Sequence, residues 1–369
     1  MKYKSLVAVL LLGIVLSLVN SCKMKEIENE EILFVGTYTN NGSEGIYRYN
    51  FNLETGQLEN KTLAATIKNP SYLTLSPDKN TMYVVSEVDN FNEDNGSITT
   101  FRVKDTVLIE VDVKSTYGAN PCYVGVNESG DLVAVANYTG GNVAVYSAAH
   151  NGNLNPSPQI IDHKILDTTK TAHAHMAEFI NGELFVSDLG LDRIEKYRKT
   201  DGQFSTSEQK ELVVAEGAGP RHFVSSNDEK FIYVINELNS TITVFGLDDE
   251  KYYAIETQET TASNFEGESF CADIHLSSDG KFLYGTNRGE NTIVIFEVDQ
   301  ATGKLKLLGR ESVKGDWPRN FSINPSENFI LVANQRSNNI VVFKRNIELG
   351  TLSFVSQVDL PSPVCLKFN

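Results

Sequence analysis

Positive charge is what this chain has least of: 32 Lys and Arg stand against 48 Asp and Glu, a formal net charge of −16 over 369 residues. Such an acidic surface excludes nucleic acid as a partner, because phosphate contacts need a basic face. An anionic ligand would have to find a local cationic pocket. Cysteine is also scarce, and Cys22, Cys122, Cys271 and Cys365 fall at no metal-ligand spacing. In an oxidising compartment the last three permit one disulfide and a spare thiol, but their places at the starts of apolar strands favour free buried thiols. Motifs that would name a chemistry are missing: there is no Gly-rich phosphate cradle, no Gly-x-Ser-x-Gly elbow and no Cys/His zinc pattern.

One apolar run stands out, Leu6 to Leu18, preceded by Lys2 and Lys4. It is too short to span a bilayer and reads as a secretory signal over residues 1–21. Val19-Asn20-Ser21-Cys22 resembles the bacterial lipobox, which implies cleavage before Cys22, lipidation of that cysteine and a membrane-anchored protein of the bacterial envelope, periplasmic or surface. Residues 22–31 then form an acidic, solvated tether with too little apolar surface to fold.

From residue 32 to 369 one phrase returns seven times: an apolar strand, a turn residue, a variable residue, a Gly/Asn/Ser turn, and a second strand ending in an aromatic. "YVVSE…GSITTF", "YVINEL…STITVF" and "LYGTNR…NTIVIF" are three of the copies. The variable positions are Tyr38, Glu87, Tyr138, Leu189, Glu237, Arg288 and Gln335, at intervals of 47 to 51 residues. That period with short strands predicts an all-β, seven-bladed β-propeller. Another strand precedes each copy after the first, opened by turns such as "NPSYLTL" and "GPRHFVSS", with Pro70, Pro121, Pro220 and Pro318 where a missing N–H costs the sheet nothing. The first copy lacks this strand, and residues 361–369 supply one with nothing after it. Blade seven should therefore be closed by the N- and C-terminal strands together.

Polar residues break the pattern at one end of the blades. Following the turn come Ser71, Cys122, Arg221, Ala272, Arg319 and Ser362, and next Tyr72, Tyr123, His222, Asp273 and Asn320. These should share a channel mouth with Glu87, Glu237, Arg288 and Gln335. Such charges either form a salt-bridge girdle or a site; three arginines converging in so acidic a protein favour a site. His173 and His175 alternate on a strand and would share a face. With Asp273 or His275 they could make a metal site, but the arginines argue against a cation there, and no metal or cofactor is expected. His150 and His163 fall in polar loops and read as solvated.

"GAGPRHF", "VINELNSTITVF", "ADIHLSSDGKFLYGTNR" and "WPRNFSIN…LVANQRSNNIVVF" resemble the lactonase family of seven-bladed propellers, which includes 6-phosphogluconolactonases and the 3-carboxy-cis,cis-muconate lactonizing enzyme. The likeness runs from "FVGTYT" to near the C-terminus. It implies metal-independent hydrolysis of a lactone of an anionic sugar acid, with His175, Arg221, Glu237 and Arg288 as the catalytic group. His222, Arg319, Gln335, Glu87 and His173 would bind substrate. A hairpin after His175 shorter than the family's usual form leaves His173 and His175 as alternatives. Three other functions stay open on the residues: a non-catalytic propeller binding an anionic sugar or a protein, a lactonizing cycloisomerase using the same groups in reverse, and a metal-dependent sugar lactonase, for which carboxylates rather than arginines should converge on the axis.

Overall fold

A computed structural model describes residues 29–104 and 106–369; the expected signal and Cys22 lie outside them. The described strands form seven four-stranded antiparallel sheets. Six blades follow chain order. The seventh places the C-terminal strand Pro363–Phe368 against Glu30–Thr37, then Gly45–Asn52 and Leu58–Thr66. The expected closure is therefore present, with Leu33 opposite Phe368 and Val35 opposite Leu366. Glu30 and Glu31, assigned to the tether from sequence, pair with Asn52 and Phe51 and belong to this blade.

Each blade grades from apolar to polar outwards. The second strands, such as Thr81–Ser86, Phe231–Asn236 and Phe329–Asn334, are buried at every residue because a neighbouring blade covers each face. Burying one Val, Ile or Phe in such a strand stabilises the fold by roughly 1.5–3 kcal/mol. Outermost strands such as Lys251–Glu259 alternate and face water. Five inner hairpins share one device: Ser76, Asn127, Ser226, Ser277 and Asn324 each accept, on a side-chain oxygen, the backbone N–H five residues on. That fixes the hairpin's length and so the register of both strands.

Outer hairpins tie neighbouring blades together. Gly303 and Gly350 adopt φ of +71° and +70°, and a Cβ on either would sit 2.3–2.4 Å from the rings of Phe231 and Phe282. Only glycine fits there, because both the backbone conformation and the close approach exclude a side chain.

Cys122, Cys271 and Cys365 are buried and free, and burial pushes their thiols up to about 12 for Cys271 and Cys365. Cys271 and Cys365 pack in the apolar clusters between blades, and Cys122 lines the axial cavity.

Candidate functional site

Every innermost strand carries a bulge near its start. In blade one Pro70 pairs with Ser86 and Tyr72 with Val85, so Ser71 is the extra residue. By the same pairing the extra residues are Cys122, His175, Arg221, Arg319 and Val364, and in blade five Ala272 and Asp273 together oppose Thr286. A bulge re-aims its side chain, and here the redirected residues gather at one end of the axis. Ser71, Cys122, Arg221, Arg319 and Val364 line a common cavity with His222 and Asn320. The blade-seven member is Val364 rather than the expected Ser362, because Pro363 is the residue that opens the strand.

The bulge also separates the two histidines. His175 is the extra residue itself, buried beside His222 with ring centroids 5.2 Å apart. His173 stands before the strand, stacks on Tyr138 at 4.4 Å and places Nδ1 3.0 Å from the Tyr138 carbonyl oxygen. Its backbone N–H is held by Asp188, whose other oxygen meets His163 Nδ1 at 2.8 Å. His163 is thus no solvated loop residue. It is fully buried, and Tyr197 closes the chain at its Nε2.

Arginines and carboxylates meet at the mouth. Glu237 Oε2 lies 2.8 Å from Arg288 Nη2 and 2.9 Å from Arg221 Nε, the latter out of line for a hydrogen bond. Arg221 Nη1 donates to the Ala272 carbonyl, while Arg288 donates from Nε to Phe270 O and from Nη2 to Cys271 O. Arg221 Nη2 and Arg288 Nη1 therefore keep their hydrogens for a ligand, among the described residues. A second pair lies alongside: Arg319 is 3.5 Å from Glu87, which also accepts from the Tyr38 hydroxyl. Arg221 and Arg288 are buried, whereas Glu237, Glu87 and Arg319 reach the opening. Gln335, half-buried in the same ring, leaves its Oε1 without a partner.

Electrostatics fix the protonation states. Burial opposes ionisation of Glu237, but Arg288, Arg221 and Arg319 outweigh it and hold the carboxyl below its usual range. Burial lowers Arg288 to about 10, which leaves it cationic at neutral pH. His175 is driven well down by burial and then by Arg221, His222, Arg319 and Arg288, so its ring is neutral. Its buried Nδ1 has no partner.

Beneath this layer His222 gives Nδ1 to Asp273 at 2.8 Å and points Nε2 at Arg221 Nη1, 3.5 Å away. Burial and Arg221 lower it to about 4 despite Asp273. Asp273 also meets His275 and accepts from Asn320 Nδ2 and the Phe321 N–H. With His173 turned to Tyr138 and Asp273 committed in this way, the four residues weighed as metal ligands do not converge. Among the described residues no group of three or more such side chains is set to hold an ion. Beyond His222 the channel widens into a cavity of about 250 Å³ lined by Glu178, Asp273, His275 and Lys367, which contains none of the arginines.

The arrangement reads as two buried guanidiniums aimed by one shared carboxylate, beside a neutral imidazole. It can bind an anion, stabilise an oxyanion and pass a proton. The family model described as "Lactonase, 7-bladed beta-propeller" matches residues 32–368. A 6-phosphogluconolactonase of Formosa agariphila is 35% identical over 342 residues, covering 88% of this chain and 95% of that protein. A 6-phosphogluconolactonase of Bacillus subtilis is 32% identical over 345 residues, covering 91% and 97%. The solved periplasmic gluconolactonase of Pseudomonas aeruginosa superposes with a TM-score of 0.86 at 32% identity, covering 92% of this chain and 99% of that one.

Folded His222 stays neutral down to about pH 4, while an unfolded histidine takes its proton near 6.5. Between those values the unfolded chain binds more protons, so the contribution of His222 to stability is complete above about 6.5 and is lost as pH falls towards 4. His175 acts in the same direction. Each contributes a slope of up to about 1.4 kcal/mol per pH unit within its window. The melting temperature should fall between pH 7 and pH 5, and His222→Gln should flatten that fall; an equally steep profile in the variant would contradict a buried neutral His222.

Proposed function

Because the chain belongs to the lactonase family of seven-bladed β-propellers, we propose that it hydrolyses a lactone of an anionic sugar acid without a metal ion. The observation that carries this reading is Glu237 shared between Arg221 and Arg288 beside neutral His175. In the proposed reaction a water adds to the ring carbonyl carbon and yields its proton to His175. Arg221 Nη2 and Arg288 Nη1 receive the developing oxyanion. When the ring C–O bond breaks, the imidazolium returns the proton to the departing alkoxide, giving the open hydroxy acid.

His175 suits the base role better than Glu237, because a carboxylate held ionised by three guanidiniums is a poor proton acceptor. His175 is itself depressed, in part by those same cations. An anionic substrate offsets them and raises its basicity at the moment it is needed. Arg319, with Glu87, and His173 and Gln335 at the opening would orient the substrate, and His222 would hold the floor beneath Arg221. Three guanidiniums supply the positive charge that a metal would otherwise bring.

We further propose that the protein works in the bacterial envelope, anchored through Cys22. The lipobox-like sequence supports this, and the family occurs in that compartment, as the periplasmic Pseudomonas protein illustrates. Cys22→Ser should abolish lipid labelling and release the protein from membranes; equal labelling in both forms would remove the anchor from the account.

On an anionic lactone, Arg221→Ala and Arg288→Ala should each lower kcat/KM by on the order of a hundredfold, the cost of one aimed oxyanion donor. His175→Gln should lower kcat without weakening the binding of the product acid. Glu237→Gln should lower kcat while binding that acid no less tightly, since it removes negative charge but frees the arginines to wander. A chelator should leave wild-type turnover unchanged. Wild type that binds the acid yet turns over no lactone would instead favour a binding propeller. If the arginine and glutamate variants lost only melting temperature, the cluster would be a structural girdle.

A further inference from the structure

Directly after the variable position the seven blades carry Thr39, Val88, Thr139, Gly190, Leu238, Gly289 and Arg336. Arg336 alone among them is charged. It is exposed and, unlike Arg221, Arg288 and Arg319, forms no ion pair among the described residues. Neighbouring Asp316 turns its carboxylate to Asn291 Nδ2 instead. What holds Arg336 is an aromatic ring: its guanidinium carbon lies 3.3 Å from the centroid of Trp317. Such stacking orders a long side chain while leaving its donors free.

Trp317 is the only tryptophan in the chain, and it occupies a position hostile to it. At the turn into the innermost strand of blade six its φ is +67°. The corresponding residues of four other blades, Asn69, Asn120, Gly219 and Ser362, take φ of +44° to +66°. Those are small residues, and the left-handed region suits Gly and Asn, whereas a bulky aromatic there costs about 1–3 kcal/mol. The turn itself needs no aromatic, since four blades make it without one. The side chain is therefore what is being retained. It lies 5.2 Å from the Arg288 guanidinium carbon and 5.9 Å from the Phe270 ring, so it borders the site. The guanidiniums of Arg288 and Arg336, both against this ring, are less than about 9 Å apart.

Charge gives the pairing its purpose. At the channel mouth three guanidiniums face Glu237 and Glu87, leaving one net positive charge for a developing oxyanion. A second anionic group on the substrate needs a cation that no carboxylate already occupies. We propose that Trp317 and Arg336 form a rim subsite that grips the ring-distal phosphate or carboxylate of the lactone and sets the preference for such substrates over neutral sugar lactones. This rests on the lactone reading for its substrate but not for its anion chemistry.

Calorimetric titration of wild type, Arg336→Ala and Trp317→Asn with gluconate, glucarate and 6-phosphogluconate separates the possibilities. Wild type should bind one or both of the two-anion acids at least about tenfold more tightly than gluconate, and the stronger of the two identifies the distal group. Arg336→Ala should erase that preference and leave gluconate affinity within about twofold. Trp317→Asn installs the residue that two sister blades use at this φ, so it should keep or raise the melting temperature while shrinking the preference. A preference retained in Arg336→Ala, or an equal loss for all three acids, would overturn the subsite. A Trp317→Asn that only destabilises, with selectivity intact, would overturn the part given to the ring. Selectivity that follows Arg336 in a protein that turns over no lactone would sink the hydrolase reading and leave the subsite standing.

Discussion

Withdrawing guanidinium groups from water costs several kcal/mol each unless an anion and hydrogen-bond acceptors replace the solvent. Arg221 and Arg288 meet that condition with one carboxylate, Glu237, and with the carbonyls of Ala272, Phe270 and Cys271. Sharing a single carboxylate leaves the pair under-neutralised. Burial keeps His175 neutral and the remaining positive charge adds to that effect, while the same charge holds Glu237 ionised and makes the mouth attractive to an anion in a protein whose surface is strongly acidic. Removing Glu237 would leave more positive charge at the mouth but take away the carboxylate that fixes the two guanidiniums, so on the proposed reading it aims the cations rather than taking a proton.

That electrostatic arrangement requires side chains placed from several blades with little freedom to move. The closed ring supplies this, because each blade is clamped by two neighbours and the last by both ends of the chain. The bulge then converts one position per blade into an axial one. Glu237 directly follows the second strand of one blade and Arg288 ends that of the next, and Arg221 enters by the bulge of the blade that carries Glu237. A cluster assembled from two blades cannot loosen without a blade interface opening.

The seven-fold phrase, the paired termini and the convergence of Arg221, Glu237, Arg288 and Arg319 were legible in the sequence because period, turn chemistry and charge are local signals. The bulge was not, since one unpaired residue leaves the apolar alternation almost intact. For that reason the sequence puts His173 and His175 on one face, while Ser362 stands in for Val364 because two prolines, Pro361 and Pro363, could each open the last strand. His163 read as solvated because its partners Asp188 and Tyr197 are 25 and 34 residues away. Trp317 and Arg336 are not legible in the sequence for a different reason. Their meaning lies in a backbone angle and a stacking distance, although the lone charge after the variable position was visible in the aligned repeats.

Where an acid product binds tests the role of the paired arginines most directly. A crystal structure of the protein with the open sugar acid should show its carboxylate at the channel mouth, bridging Arg221 and Arg288 at hydrogen-bond distance with His175 beside it. An acid found in the cavity beyond His222, on a blade face, or at the mouth without contact to those two arginines would contradict it.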